Sequence, residues 1–237
     1  MSTIAAHLDD VLSRISRATA DAGRPAGSVC LLAVSKTFGA DAVREAVIAG
    51  QRAFGENYVQ EALDKIAATA SERVDGEPLE WHFIGPLQSN KTRPVAEHFD
   101  WVHSVDRLKI AERLSAQRPA DLPPLQICLQ VNISGEASKS GVTPDEVPAV
   151  ARAIAALPNL TLRGLMAIPE PEDDPSRQRE PFKAVRELFD ALRADGLALD
   201  TLSMGMSGDL EAAVAEGATM VRIGTAIFGA RDYGSRA

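Results

Sequence analysis

A single-domain (β/α)8 barrel of the TIM type with an extra N-terminal helix is the fold that the sequence predicts over residues 1–237. Three observations predict it. Strand-like apolar runs alternate with helical patterns almost without exception, which points to a parallel sheet. Eight such units in about 230 residues lie within the size range of a minimal barrel. A doubly wound open sheet, the alternative, would lack its usual nucleotide signature, because neither G-x-G-x-x-G nor G-x-x-x-x-G-K occurs.

The elements follow in order. An amphipathic helix opens the chain, with Ile4, Leu8, Val11, Leu12 and Ile15 on one face and a start near Ser2 or Thr3. Strands are expected at 29–35, 52–55, 81–85, 101–105, 125–132, 160–168, 202–206 and 220–224. Between them run helical patterns at 40–49, 57–72, 90–98, 106–116, 144–156, 177–194 and 208–216, the last two beginning after Ser or Gly positions able to cap them. Only TAIFGARDYGSRA follows the last strand, so the eighth helix is short and the N-terminal helix is expected to share in covering the barrel. The linkers 73–80 and 116–124 precede strands and belong at the barrel's bottom, where loops serve stability. The proline-rich stretch 169–181 belongs at the top, either as a solvated connector or as a partial lid.

Composition narrows the function. The formal net charge of -8 argues against a sequence-independent grip on nucleic acid or anionic lipid. No apolar run approaches the roughly 18 to 20 residues that span a bilayer. Asp9 and Asp10 interrupt the N-terminal pattern, so no export signal is expected there and the cytoplasm is the expected location. Cys30 and Cys128 fall inside expected strands without metal-ligand spacing, as small buried hydrophobes of a reducing compartment. No metal site is expected.

Chemistry collects at the C-terminal strand ends, where barrels bind ligands. LLAVSK ends a continuous apolar run on Lys36, either a snorkelling surface lysine or a functional amine. Asn57, His82, Ser104, Asn132 and Met166 follow at successive strand ends, then Ser207 in GMSGD and Arg222, Gly224 and Thr225 in RIGT. Ser207 with the amides of Gly208 and Asp209, beside Gly224 and Thr225, makes an anion site on strands seven and eight, where barrels place phosphate. The bland alternative makes Ser207 an N-cap and Gly224 a turn residue. Arg222 shares a strand face with Gly224, about 6.6 Å away by strand rise, a span that matches a small heteroaromatic ring from its nitrogen to a side-arm phosphate. With a lysine amine across the barrel, this fits pyridoxal phosphate held as a Schiff base. A buried ion pair of Arg222 with a carboxylate such as Glu56 is the competing reading.

VSK at Lys36, FGENYVQE (54–61), WHFIGPLQSNK (81–91), QVNISGEASKSG (130–141), GLMAI (164–168), SMGMS (203–207) and MVRIGTAIFG (220–229) resemble the pyridoxal phosphate homeostasis protein family from about residue 29 to 232. The resemblance implies the fold of the alanine racemase N-terminal barrel, fold type III among pyridoxal phosphate proteins. It also implies binding of pyridoxal 5′-phosphate through Lys36, with Ser207, Gly224 and Thr225 at the phosphate and Arg222 at the pyridine nitrogen. Asn57, His82 and Met166 would line the ring's surroundings. Where close relatives often read SKTKP, this chain has Thr37, Phe38 and Gly39, which removes a second lysine beside Lys36. An arginine does not readily hand a proton to the ring nitrogen, so the cofactor would be a weak electron sink. The racemases present a base as a tyrosine with help from an additional β domain, for which this chain is expected to be too short. Its tyrosines are Tyr58 and Tyr233. The expectation is therefore a monomer that binds, carries and releases the cofactor, with apo pyridoxal phosphate enzymes as recipients. An amino-acid racemase or lyase is the alternative, and a Schiff-base aldolase a further one. Lys91 and Lys139 are the other lysines expected on mouth loops.

Overall fold

Eight parallel strands close on themselves in a computed structural model that describes residues 2–135, 140–172 and 174–229. The strands are β1 (Cys30–Val34), β2 (Ala53–Glu56), β3 (Glu80–Phe83) and β4 (Trp101–Val105), then β5 (Leu125–Gln130), β6 (Leu160–Met166), β7 (Thr201–Ser203) and β8 (Met220–Ile223). Each pairs with its neighbours in sequence, and β8 closes on β1 with Leu32 opposite Arg222. Helices α1 (Thr3–Asp21), α2 (Ala40–Ile48), α3 (Val59–Ala68), α4 (Thr92–His98) and α5 (Leu108–Gln117) precede α6 (Val147–Ala155), α7 (Pro175–Ala194), α8 (Leu210–Ala215) and α9 (Thr225–Phe228).

Period-2 alternation along the strands builds two interiors. Leu31 and Ala33 of β1, Phe54 of β2 and Trp81 and Phe83 of β3 join the apolar layer shared with the helices. Trp101, Cys128 and Met166 make a separate buried cluster, fully apart from that layer. Each fully buried aromatic such as Phe54 or Phe83 contributes about 1.5–3 kcal/mol by burial.

The N-terminal helix starts where expected: the Ser2 hydroxyl accepts from the Ala5 amide at 3.2 Å. Its buried stripe is Leu8, Val11, Ile15, Ala18 and Thr19, whereas Leu12, expected on that face, is 45% exposed. The stripe packs on α2, α8 and α9. His7 Nδ1 meets the Ile227 carbonyl at 2.9 Å, so α1 covers the barrel beside the four-residue α9.

Four expectations need correction. Residues 73–80 are not a plain linker: Arg73–Val74 and Glu77–Pro78 pair as a hairpin around Asp75 and Gly76, both at positive φ. Asp-Gly is the strongest short hairpin signal, because both central residues of a type I′ turn need that conformation. The stretch 169–181 is largely helix, since α7 begins at Pro175 with Asp174 as its cap and carries Pro181 inside it. Helix α8 starts at Leu210, two residues later than expected, which leaves Gly208 and Asp209 in the preceding turn. Cys30 is exposed at the first position of β1, and only Cys128 is buried.

Candidate functional site

A cavity of about 330 Å³ opens at the C-terminal mouth of the barrel. Lys36, Asn57, Ser207, Arg222, Gly224 and Thr225 all line it, with Phe38, Ile84 and Ile168 among its apolar walls. Lys36 and Arg222 do not face each other across the barrel: β1 and β8 are paired neighbours, so both functional groups rise from adjacent strands.

His82 and Met166 do not line this cavity. The wall residue that follows β3 is Ile84, two positions beyond His82, which places His82 about 6.6 Å deeper by strand rise. His82 is fully buried and stacks on Trp101 with ring centroids 5.3 Å apart. Met166 is likewise fully buried against Trp101 and Cys128, and Ile168, two residues past the end of β6, takes the wall position. Ser104 and Asn132 lie in a second cavity of about 330 Å³, which shares Asn57, Ile84 and Ile168 with the first. Lys139 and Tyr233 lie outside the described residues.

The backbone on both sides of Lys36 is clamped. On α3, Lys65 donates from Nζ to the Ser35 carbonyl at 2.7 Å, to Glu56 Oε1 at 2.6 Å and to Glu61 Oε1 at 2.7 Å. The Ser35 hydroxyl donates to the same Glu56 oxygen at 2.6 Å, and the Thr37 amide donates to Glu61 Oε1 at 2.6 Å. Lys65 and Glu56 are both buried, so water does not screen their pairing. Burial pushes the Glu56 carboxyl above the ordinary glutamate range, while Lys65 and the Ser35 hydroxyl pull it back. Thr37 sits at φ 71, a left-handed conformation that costs a non-glycine residue of order 1–3 kcal/mol and that the clamp holds. Phe38 then packs on Phe228 of α9 with centroids 5.3 Å apart. Sequence reading missed Lys65 and Glu61 because they look like ordinary polar positions on a helix.

Arg222 is anchored by its neighbours' oxygens rather than by a carboxylate. Its Nη1 donates to the Ser203 carbonyl at 2.6 Å and hydroxyl at 2.8 Å, and its Nη2 to the Ala167 carbonyl at 2.9 Å. These use three of the five N–H donors of a guanidinium. Glu56, the ion-pair partner considered above, belongs to Lys65. Burial lowers the Arg222 pKa to about 10, with Asp209 acting in the opposite direction, so the side chain stays cationic at neutral pH.

The turn before α8 is tied from two sides. Arg14 of α1 donates to the Ser207 carbonyl at 2.8 Å and pairs with Glu211. Asp209 Oδ1 accepts from the Met206 amide at 2.6 Å. Gly205 begins the turn at φ 96, where a Cβ would lie 2.6 Å from the Ala213 Cβ. At Gly85 a Cβ would overlap the Asn57 backbone, so that glycine lets Asn57 reach the cavity. Asn57 Oδ1 is buried with no hydrogen-bond partner among the described residues, which carries a cost for an acceptor.

The donor set suits one kind of ligand: an amine for a carbonyl, a guanidinium with unused donors for an aromatic nitrogen, and hydroxyls and a glycine turn for phosphate. Among the described residues no group of three or more His, Cys, Asp or Glu is placed to hold a metal ion, and no helix is long and apolar enough to cross a membrane.

Residues 7–232 match the family model for the alanine racemase N-terminal domain. The chain is 65% identical over 237 residues to the pyridoxal phosphate homeostasis protein of Pseudomonas aeruginosa, covering all of both chains. It is 57% identical over 236 residues to the protein of that name from Escherichia coli K12, again over the full length of both. Among solved structures, PipY of Synechococcus elongatus PCC7942 with PLP bound aligns with a TM-score of 0.82 at 39% identity, over 95% of this chain and 100% of that one. Alanine racemase from Corynebacterium glutamicum aligns with a TM-score of 0.68 at 16% identity, over 98% of this chain and 63% of that one, which is a likeness of fold.

Proposed function

We propose, for a chain that belongs to the pyridoxal phosphate homeostasis protein family, that it binds pyridoxal 5′-phosphate in the mouth cavity and carries and releases it without turning over a substrate. The observation that carries this reading is the convergence of Lys36, Arg222, Ser207, Gly224 and Thr225 on one cavity, with Asn57 also in its wall.

Bound pyridoxal phosphate supplies an aldehyde that condenses reversibly with a primary amine. Lys36 provides that amine, presented by a backbone that Lys65, Glu56 and Glu61 fix on either side. Ser207 and Thr225 offer hydroxyls to the phosphate, and Gly224 allows close approach of the main chain. Arg222 donates to the ring nitrogen from its unused N–H groups. A guanidinium does not readily give up its proton, so Arg222 holds that nitrogen without protonating it. Ile84, Ile168 and Phe38 wall the cavity and limit water.

Among the described residues, no tyrosine lines this wall as a second base for a racemase. Tyr58 precedes α3 and is 56% exposed, away from the cavity lining. The same reading has the protein acting as a monomer in the cytoplasm, with apo forms of pyridoxal phosphate enzymes as recipients.

Two assays run side by side test it. Loaded protein is mixed with an apo-aminotransferase, and aminotransferase activity is followed as it appears. In parallel, deuterium incorporation from solvent at the α-carbon of L-alanine and other amino acids is measured. Transfer with negligible exchange is the expected pair of results. Exchange or racemisation faster than about 1 per second, the low end of ordinary turnover, contradicts the carrier reading and favours a racemase or lyase.

A further inference from the structure

Barrel interiors are usually filled by branched aliphatic side chains. Here a chain of polar groups runs through the interior from the floor to the cavity. At the floor, Glu80 opens β3 with its side chain 29% exposed, and its Oε1 lies 2.7 Å from His82 Nε2. His82 Nδ1 lies 2.9 Å from His103 Nε2, and His103 Nδ1 lies 2.7 Å from the Ser203 hydroxyl. That hydroxyl accepts from Arg222 Nη1 at 2.8 Å. β4 and β7 are separated by two strands around the wall, so the His103–Ser203 bond crosses the inside of the barrel. Both imidazoles are fully buried.

With both rings neutral, the two ends fix the direction of every bond. A guanidinium only donates and a carboxylate only accepts. Ser203 therefore accepts from Arg222 and has its own hydrogen free for His103 Nδ1. His103 then carries its hydrogen on Nε2 and gives it to His82 Nδ1, and His82 gives its Nε2 hydrogen to Glu80. One hydrogen per bond satisfies all four links with both rings neutral.

We propose that Ser203, His103, His82 and Glu80 form a one-way hydrogen-bond relay that positions Arg222 from below and couples the charge of Glu80 at the floor to the ring-nitrogen side of the cavity. These are positioning residues: they touch Arg222 and one another, and act on a ligand through Arg222. Burial, with the Arg222 cation acting in the same direction, keeps His103 well below the ordinary histidine range, in keeping with a neutral ring. The hydrogen bond from His82 holds the Glu80 carboxyl below its ordinary value. The charged and titratable groups that face the relay are Arg52 near Glu80, Asp100 on the Trp81 amide, Arg163 over the Trp101 ring, Cys128, and Asp209 beside Arg222. Only the identity of the ligand above Arg222 rests on the proposed cofactor site.

The test separates the two. In the protein without cofactor, long-range proton–nitrogen NMR on labelled histidine reads the tautomers of four rings. The relay places the hydrogen of each of the His82 and His103 rings on Nε2, with Nδ1 accepting. Glu80→Ala removes the last acceptor and should move the nitrogen shifts of His103, two links away, as well as those of His82. Glu80→Gln, which keeps a carbonyl acceptor, should recover most of both. Ser203→Ala cuts the other end and should disturb His103 first. Melting curves verify that each variant folds. Pyridoxal phosphate affinity should then fall about tenfold in Glu80→Ala and in Ser203→Ala, the worth of a hydrogen bond to a charged group. A hydrogen on His103 Nδ1, or a Glu80→Ala effect confined to His82, overturns the relay. Propagated shifts with unchanged affinity overturn the coupling to the cavity. Failure of the parent protein to bind the cofactor overturns the proposed site instead, whatever the tautomers show.

Discussion

At the residue scale, the mouth of the barrel gathers side chains whose individual roles can be separated by ligand. Ser207→Ala removes a hydroxyl donor and should weaken pyridoxal phosphate binding by about 1–2 kcal/mol. Pyridoxal lacking the phosphate should bind weakly to the parent and ignore the change, and calorimetry with both ligands checks this. The two cysteines give a second contrast. Burial pushes the Cys128 thiol up to about 12, so it should resist alkylation at pH 8, while exposed Cys30 reacts; mass spectrometry of the labelled chain reads both. Lys36 and Arg222 were legible in the sequence because each breaks an apolar strand pattern at its C-terminal end. His82 and Met166 were misplaced for a related reason: a strand shows which face a residue takes but not its depth, and Ile84 and Ile168 stand one step nearer the mouth. The partnership of His103 with Ser203 spans 100 residues and two intervening strands, so no local pattern announces it.

At the element scale, α3 does more than cover β2 and β3. It sends Lys65 inward to the ends of β1 and β2, where one ammonium joins Ser35, Glu56 and Glu61. Lys65→Met strands a buried carboxylate and should destabilise the fold by about 3 kcal/mol or more at pH 8. The deficit should narrow on acidification, because Glu56 without its cation takes up a proton more readily and the neutral acid tolerates burial. Urea denaturation of parent and variant at pH 8 and pH 5.5 measures both. The variant should also lose cofactor affinity, since the clamp holds the residues on both sides of Lys36. The order of the elements and the short α9 followed from hydrophobic periodicity. The hairpin at 73–78 and the early start of α7 did not, because Asp-Gly and the Asp174 cap were read as linker composition rather than as turn and cap chemistry.

At the scale of the whole molecule, a buried neutral histidine makes the fold sensitive to acid. The His103 pKa is lowered in the folded state, so the unfolded chain binds the extra proton as the pH falls through the ordinary value of 6.5. Stability is therefore full above that value and declines below it, by up to about 1.4 kcal/mol per pH unit from this one group. Glu56, shifted upward, works with the opposite sign, but it is present in both chains when the parent is compared with His103→Gln, so the difference in slope isolates His103. The barrel thus ties a polar interior to a cavity at its mouth, and the claim that this cavity holds pyridoxal phosphate on Lys36 is open to one direct measurement. The protein is mixed with pyridoxal phosphate, reduced with borohydride, digested and mapped by mass spectrometry. A single pyridoxyl adduct on Lys36, absent from Lys36→Ala, is the predicted result. An adduct carried instead by another lysine, or none at all, contradicts it.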